Sequence, residues 1–362
     1  MTRGALEYPL VVVVGGGGVG KTTLAAALAL ESARRGTDTL VMTFDPSRRL
    51  KDALGIADET GDREVPVGAA TRGRLDASLL DARATFDRLV LRYAPDRAAA
   101  QRIFRNRFYH HLAGSLAGIL EYMAVERLFE VAAQGRYGCV VLDTPPTRQA
   151  LEFIQAPERM VGFLESGALR IALKPWFAPG MKGGLRLAQR GLAALLDRVI
   201  GIALLRDIAE FFQAFGPLYE GFRTRAVQVG ELLRSPQTIF VLVSAPGEER
   251  VADTLYFARR LTEAGHHLGP IVVNQVHPAV GAVPARRKRS PEAEEGLRLL
   301  GFLAEHDRRG VAALRGLLSP GEPLVELPLL PEPPTSLAGL GALGAVLRER
   351  LTTAGPSCRA AV

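Results

Sequence analysis

The sequence is poor in cysteine and lysine, and it lacks a long apolar run without charge. Its two cysteines, Cys139 and Cys358, are too few for a disulfide framework or a four-cysteine zinc site within one chain. No segment has both the length and the lack of charge that a membrane span needs. The N-terminal residues do not have the pattern of a secretory signal. We therefore expect a cytoplasmic protein without stable membrane insertion.

The basic charge comes almost entirely from arginine. Only five lysines contribute to the formal net charge of +7, at positions 21, 51, 174, 182 and 288. The arginines are spread along the whole chain, which indicates codon bias more often than a nucleic-acid surface. We therefore predict no nucleic-acid partner. The six histidines have no acidic or thiol neighbours at ligand spacing, so they do not indicate a metal site.

Short apolar runs alternate with helical segments along the chain. Strands are predicted at 9–14, 38–44, 137–142, 238–244, 270–273 and 324–327. Helices are predicted to follow the first and fourth of these strands, at 21–35 and 250–264. This alternation predicts an α/β fold with an open, mostly parallel, doubly wound sheet.

Two long stretches predict an inserted helical subdomain. Residues at about 75–134 contain few helix breakers. Residues at about 158–235 have an amphipathic pattern, with one apolar stripe at 185–203 and a second that includes Ile208, Phe211, Phe215, Leu218, Phe222, Ala226, Val229 and Leu233. A connection at 176–184, with one proline and three glycines, precedes the first stripe. Residues 276–296 are predicted to form a solvated loop. The chain is thus expected to be a single domain, 1–362, with a nucleotide core at about 9–74, 135–157 and 236–345 and a disordered tail at 352–362.

The first strand is followed by the phosphate-loop spacing G-x-x-x-x-G-K-[ST]. Glycines let backbone N–H groups turn towards phosphate oxygens, and the next helix directs its N-terminus at them. We expect Lys21 to reach the β- and γ-phosphates of ATP and Thr22 to ligate Mg²⁺. The alternative, a simple glycine-rich turn, does not explain the strand before it and the helix after it. The predicted nucleotide-binding residues are Gly15, Gly16, Gly17, Gly18, Val19, Gly20, Lys21, Thr22 and Thr23.

Three polar residues end predicted strands, where a parallel sheet faces its ligand. Asp45 either orients the attacking water or caps a helix at 48–54. Asp143 is predicted to hold Mg²⁺ through a water molecule, and its alternative role is also that of a cap. The side-chain amide of Asn274 suits an adenine edge, and otherwise it belongs to a turn.

Four blocks, in this order, resemble the ArsA-type ATPases, a family that includes arsenite-pump and tail-anchored-protein-targeting ATPases. The blocks are 14–23 with Asp45-Pro46, 143–147, Asn274-Gln275 and 327–330. The resemblance implies that Asp45 positions the hydrolytic water, that Asp143 opens the second switch segment, and that Asn274 contacts adenine while Pro328 flanks it. It also implies a dimer with nucleotide sites near the interface and a client surface on the helical stretches.

The chain departs from the family pattern at several positions. Gly16 replaces the lysine that usually reaches the partner's phosphates, and Arg148-Gln149 replace a Gly-His pair. The arsenite-binding cysteines and the paired-cysteine zinc site are absent, so no zinc is expected. The helical stretches contain only three methionines, which does not favour a tail-anchor groove. The pattern is more similar to that of uncharacterised bacterial ArsA-like ATPases.

From these observations we predict an ATP-hydrolysing dimeric switch that couples nucleotide state to a protein partner or client, with Lys21 and Asp45 as its catalytic residues. The dimer is either a homodimer or a heterodimer with a paralogous ATPase. The alternative is a nucleotide-binding scaffold or regulatory subunit with weak intrinsic hydrolysis, because Gly16 offers no cationic side chain. A partition-type ATPase is disfavoured because the C-terminal tail has neither an amphipathic helix nor a basic surface.

Overall fold

The computed structural model describes residues 5–43, 49–56, 63–68, 71–110, 119–144, 147–165, 207, 210–211, 214–279, 290–319 and 322–353. The chain divides into two compact units. The sheet unit comprises Met1–Leu80, Glu130–Leu151 and Leu232–Val362, and the helical unit comprises Asp81–Phe129 and Glu152–Glu231.

The sheet unit contains one sheet whose strands are nearly all parallel. Its strands are β1 (Leu10–Gly15), β2 (Thr39–Thr43), β3 (Val65–Pro66), β4 (Leu75–Leu79), β5 (Cys139–Asp143), β6 (Thr238–Ser244), β7 (Leu268–Val276) and β8 (Leu324–Pro328). Their order is β3-β4-β2-β5-β1-β6-β7-β8, and only the pairing of β3 with β4 is antiparallel. The predicted α/β fold with an open, mostly parallel sheet is confirmed.

Ten α-helices have bounds in the described part of the chain. They are α1 (Lys21–Arg34), α2 (Arg49–Leu54), α3 (Ala82–Tyr93), α4 (Arg97–Arg105), α5 (Ile119–Gln134), α6 (Thr147–Glu165), α7 (Tyr219–Arg234), α8 (Val251–Glu263), α9 (Pro291–Leu317) and α10 (Leu337–Thr353). None of the described helices is both long enough and apolar enough to cross a membrane.

The main core of the sheet unit lies against the central strands. Every residue of β1, β2, β5 and β6 is buried, as expected for parallel strands covered on both faces. Helix α1 presents a row of buried alanines, whose small side chains allow it to lie close to the sheet. Cys139 is buried in β5, and burial raises the pKa of its thiol to about 11, so it stays a neutral, apolar side chain.

Three segments differ from the sequence predictions. Strand β4 lies in a stretch that was predicted to be helical, because the buried polar residues Asp76 and Ser78 hide its apolar character. Helix α9 begins at Pro291, inside the predicted loop at 276–296. Its start carries a recognisable signal, since the Ser290 hydroxyl accepts the N–H of Ala293 and proline occupies the first helical position. Helix α10 also continues to Thr353, into the predicted tail.

The helical unit is held together by an aromatic core. The predicted apolar stripe is buried at Phe211, Phe215, Leu218, Phe222, Ala226 and Val229 within this unit. Its last member, Leu233, is also buried and belongs to the sheet unit. A buried ion pair joins α7 to α5, with Arg225 Nε 2.6 Å from Glu126 Oε1. The same guanidinium lies over the ring of Phe129. The predicted stripe at 185–203 and the glycine-rich connection at 176–184 lie outside the described residues.

Candidate nucleotide-binding site

The loop between β1 and α1 has a backbone that requires glycine at two positions. Gly15 has φ 152°, and a Cβ atom there would lie 2.0 Å from the carbonyl oxygen of Val243. Gly20 has φ 89°, and a Cβ atom there would lie 2.5 Å from Asn274 Nδ2. Both conformations are costly for residues with side chains. Glycine is therefore required at positions 15 and 20 because β6 and β7 approach the backbone closely, and also because the backbone turns there.

The Lys21 side chain lies inside this loop. It is buried, and its Nζ donates a hydrogen bond to the carbonyl oxygen of Gly16 at 2.7 Å. Lys21 is also the first residue of α1, so the ammonium group and the first-turn N–H groups of that helix belong to one short segment. The segment therefore concentrates positive charge and hydrogen-bond donors, which is what a phosphate group binds.

Asp143 joins three elements at the carboxyl edge of the sheet. Its Oδ2 accepts hydrogen bonds from Thr22 Oγ1 on α1 and from Thr43 Oγ1 on β2, both at 2.8 Å. Thr43 and Asp143 are register partners in the β2–β5 pair, which explains why their side chains meet. The carboxylate is almost completely buried, with 1% of its surface exposed. The geometry therefore brings the predicted residues Thr22 and Asp143 together.

Thr43 is the residue that the sequence interpretation missed. It is the polar last residue of β2 and follows three apolar residues, and this position was the available signal. Asp45 was singled out two residues later, but 44–48 lie outside the described residues. The turn after Asp143 is fixed by Thr144, whose hydroxyl donates to the carbonyl oxygen of Val13 at 2.8 Å. Beyond it, Pro145 and Pro146 are outside the described residues.

Asn274 lies inside β7 and reaches back to the phosphate loop. Its Nδ2 donates to the carbonyl oxygen of Val19 at 2.9 Å, and the side chain is largely buried. The next residue, Gln275, has φ 63°, a left-handed conformation that is uncommon without glycine. Asn274 therefore connects β7 to the loop that precedes α1.

A cavity of about 230 Å³ opens beside Asn274. Its lining includes Gly20 and Thr23 of the loop segment, Asn274 and Gln275 of β7, and Pro328 at the end of β8. Four of these residues, all except Gln275, were predicted to bind nucleotide. The lining combines an amide with apolar ring and aliphatic surfaces, a composition typical of small-molecule sites. The structure therefore places the predicted adenine-side residues around one cavity next to the loop.

The oxygen atoms near Thr22 fit a magnesium ion. Mg²⁺ prefers hard oxygen ligands and is usually held by one or two carboxylates, while phosphates and water complete its octahedron. A threonine hydroxyl beside the Asp143 carboxylate has this chemistry. Within the described residues, no group of three or more His, Cys, Asp or Glu side chains is arranged to hold a metal ion alone.

Comparison with known proteins identifies the family. Residues 9–290 match the family model of the ArsA ATPases, described as anion-transporting ATPases. The chain belongs to this ArsA family. The match covers most of the chain, including the phosphate loop, Asp143 and Asn274, and it confirms the resemblance inferred from the four sequence blocks.

Individual relatives of this ArsA-family chain are distant. An uncharacterised protein of Streptomyces coelicolor is 28% identical over 86% of this chain and 76% of its own length. The ATPase GET3B of Arabidopsis thaliana is 28% identical over 73% of this chain, and the ATPase get3 of Schizosaccharomyces pombe is 26% identical over 74%. The alignments span 63% and 73% of those two proteins. The family and these relatives support an ATP-hydrolysing enzyme, as the sequence predicted.

Proposed function

We propose that this ArsA-family chain is a Mg²⁺-dependent ATPase that acts as a dimeric switch in the cytoplasm and couples its nucleotide state to a protein partner or client. The observation that carries the proposal is the meeting of Thr22 and Thr43 on the buried Asp143 carboxylate, directly beside the loop that encloses Lys21. This arrangement is suited to a phosphate chain and its metal ion.

In the proposed complex, the phosphates lie against the N–H groups of Gly16–Thr23 at the start of α1. Lys21 exchanges its bond to the Gly16 carbonyl for a stronger, charge-assisted bond to a phosphate oxygen. Thr22 would ligate Mg²⁺ directly, and Asp143 would hold it through a water molecule. When bound, the ion neutralises charge on the β- and γ-phosphates.

The cavity beside Asn274 is proposed to take the adenine base. Because Nδ2 of Asn274 is engaged by Val19, the side chain offers its Oδ1 acceptor to the base. The exocyclic amine of adenine is a donor at the corresponding edge, whereas guanine has a carbonyl oxygen there. The hydrogen-bonding pattern therefore favours ATP over GTP, and Pro328 supplies an apolar surface at the cavity wall.

Asp45 is proposed to orient the attacking water. Asp45→Asn is expected to leave ATP affinity within about threefold and to lower turnover by roughly 10²- to 10⁴-fold, because general-base assistance acts in the transition state. Titration calorimetry and a steady-state assay measure the two quantities. The exposed residue Asp52 on α2 provides a control, and Asp52→Asn should change neither quantity. Normal turnover in Asp45→Asn would return Asp45 to the role of a helix cap.

An apolar surface on α9 supports binding to another protein chain. Leu299, Leu300 and Phe302 are 58%, 43% and 63% exposed, within a helix segment that has few buried residues before Asp307. Large exposed apolar side chains that cluster in this way often mark interaction sites. The proposal leaves a homodimer and a heterodimer with a paralogous ATPase as alternatives, and it includes neither nucleic acid nor a membrane.

Light scattering combined with an ATPase assay tests the switch. The chain is expected to have the mass of a dimer in ATP and to hydrolyse it, and Phe302→Ser is expected to weaken the dimer. Tyr256→Ser is the matched control, because Tyr256 is equally exposed but lies on α8. The dimeric switch would be contradicted if the chain stayed a monomer at every concentration in ATP, both alone and with a candidate paralogue present.

The alternative function is a weakly hydrolysing subunit paired with a paralogous ATPase. The observation that favours it is Gly16, which gives the loop no cationic side chain at its second position. It predicts slow turnover by the purified chain and a higher rate after a lysine-bearing paralogue is added. A self-sufficient chain would instead recruit an arginine, for which Arg48, Arg49 and Arg148 are sequence candidates whose side chains lie outside the described residues.

A further inference from the structure

A second, smaller cavity is also lined by residues of the phosphate loop. Its volume is about 70 Å³. It is lined by Gly15, Gly16 and Gly17 of the loop, Ser244 at the end of β6, and Arg250 and Asp253 at the start of α8, among others. This cavity is distinct from the one beside Asn274, and its lining includes an arginine.

The backbone at Arg250 is fixed to the end of β6. Its carbonyl oxygen accepts a hydrogen bond from Thr254 Oγ1 at 2.7 Å, and that hydroxyl is 2.7 Å from the buried Ser244 Oγ. The N–H of Arg250 donates to the carbonyl oxygen of Gly247 at 3.2 Å. Because β6 is the neighbour of β1 in the sheet, these bonds hold Arg250 at a defined position next to the loop.

The side chain of Arg250, in contrast, is exposed. Among the described residues it has no hydrogen bond or ion pair, even though Asp253 lines the same cavity. An arginine that lies beside a phosphate site and has no carboxylate partner keeps its guanidinium group available for an anion. The guanidinium also has a planar set of donors that matches two phosphate oxygens at once.

ATP hydrolysis at this loop requires positive charge near the terminal phosphate. Phosphoryl transfer spreads negative charge over the terminal phosphate, and cations that meet this charge contribute strongly to the rate. Lys21 supplies one cation from within the loop, whereas Gly16 and Gly17, on the side that faces this cavity, have no side chains. Arg250 is the cationic residue that lines the cavity on that side.

We propose that Arg250 is a catalytic residue that contacts the terminal phosphate of ATP at the Gly15–Gly17 side of the loop. The inference rests on the proposed ATPase function and adds a specific residue to it. It also accounts for hydrolysis by a chain that lacks a lysine at position 16, because the positive charge comes from the β6–α8 connection and not from the loop itself.

The test compares Arg250→Ala and Arg250→Lys with Arg259→Ala, a control that removes another exposed arginine of α8. Arg250→Ala is expected to lower turnover by roughly 10²- to 10³-fold, the range for loss of one preorganised donor. Affinity for ADP with aluminium fluoride, an analogue of the transition state, should fall by a similar factor, whereas ADP affinity should change by less than about threefold. Arg250→Lys should have an intermediate effect, since it keeps the charge but loses the planar fork.

The outcomes separate this inference from the proposed function. In one outcome, the wild-type chain hydrolyses ATP and Arg250→Ala keeps the same turnover and the same affinity for the analogue. That result would overturn the role of Arg250 and leave the proposed ATPase function intact. An equal loss in Arg259→Ala would also overturn it, because the effect would then reflect general surface charge. If the wild-type chain does not hydrolyse ATP, its hydrolytic function fails, and the analogue-binding measurement still decides whether Arg250 contacts the phosphate.

Discussion

Lys21→Ala is expected to abolish ATP hydrolysis and to weaken Mg-ATP binding by at least about 100-fold. The substitution removes the only cationic side chain within the phosphate loop, and the ammonium group is already enclosed there by its bond to Gly16. A charge-assisted bond from lysine to phosphate is lost without any replacement inside the loop. Titration calorimetry with a slowly hydrolysed ATP analogue measures the loss of affinity, and a steady-state assay measures turnover.

Two controls make this result specific. Lys51→Ala removes a lysine from α2 and should leave affinity and turnover unchanged. Thermal unfolding of Lys21→Ala, followed by circular dichroism, should show a cooperative transition, since the loop conformation is set by glycines and by α1. Undiminished affinity and turnover in a folded Lys21→Ala protein would refute the assignment of this loop as the nucleotide site.

Asp143→Asn is expected to remove the effect of Mg²⁺ on ATP binding and to reduce turnover by at least about 100-fold. Asparagine retains the shape of the side chain but not the negative charge, so a water molecule held near the ion loses its carboxylate partner. Both threonine hydroxyls donate to Oδ2, so the amide oxygen of asparagine can keep these two bonds when it occupies that position, and the main loss is the negative charge. Calorimetric titrations of ATP in Mg²⁺ and in a chelator measure this effect for the wild type and for Asp143→Asn.

Asp76→Asn is the matched control for Asp143→Asn. Asp76 is also a buried carboxylate on a parallel strand, but it accepts a hydrogen bond from Tyr137 and pairs with Arg74 rather than with the loop. This variant should lose stability and keep its response to Mg²⁺. A magnesium response in Asp143→Asn equal to that of the wild type would show that Asp143 does not act on the ion.

The phosphate loop could be predicted from the sequence because its physics is local. The turn depends on glycines at fixed spacing, and the strand before it and the helix after it are continuous in the chain. The same reasoning identified Asp143 and Asn274, since each ends or nearly ends an apolar run. Parallel strands bring their carboxyl ends to one edge, so polar residues at these positions are expected to be neighbours even when they are far apart in sequence.

Elements that depend on tertiary burial were harder to predict. Strand β4 contains Asp76 and Ser78, which are both buried, and Asp76 accepts a hydrogen bond from Tyr137, so the apolar pattern of the strand is incomplete in the sequence. The first turns of α9 are rich in glutamate and were interpreted as part of a loop. In these segments the polar composition predicts a loop, whereas the residue pattern predicts a strand or a helix. Only the packing of the surrounding structure decides between the two.

The sequence alone therefore determined the class of fold and the family, and it predicted the phosphate loop, because each depends on short-range pattern. The tertiary structure decided which residues share one site. It joined Thr43 to Asp143, turned Asn274 towards Val19, and placed Gly16 and Arg250 in the lining of one cavity. The members of these pairs are separated by 100, 255 and 234 positions, so the sheet register and the packing of α8, not local spacing, bring them together.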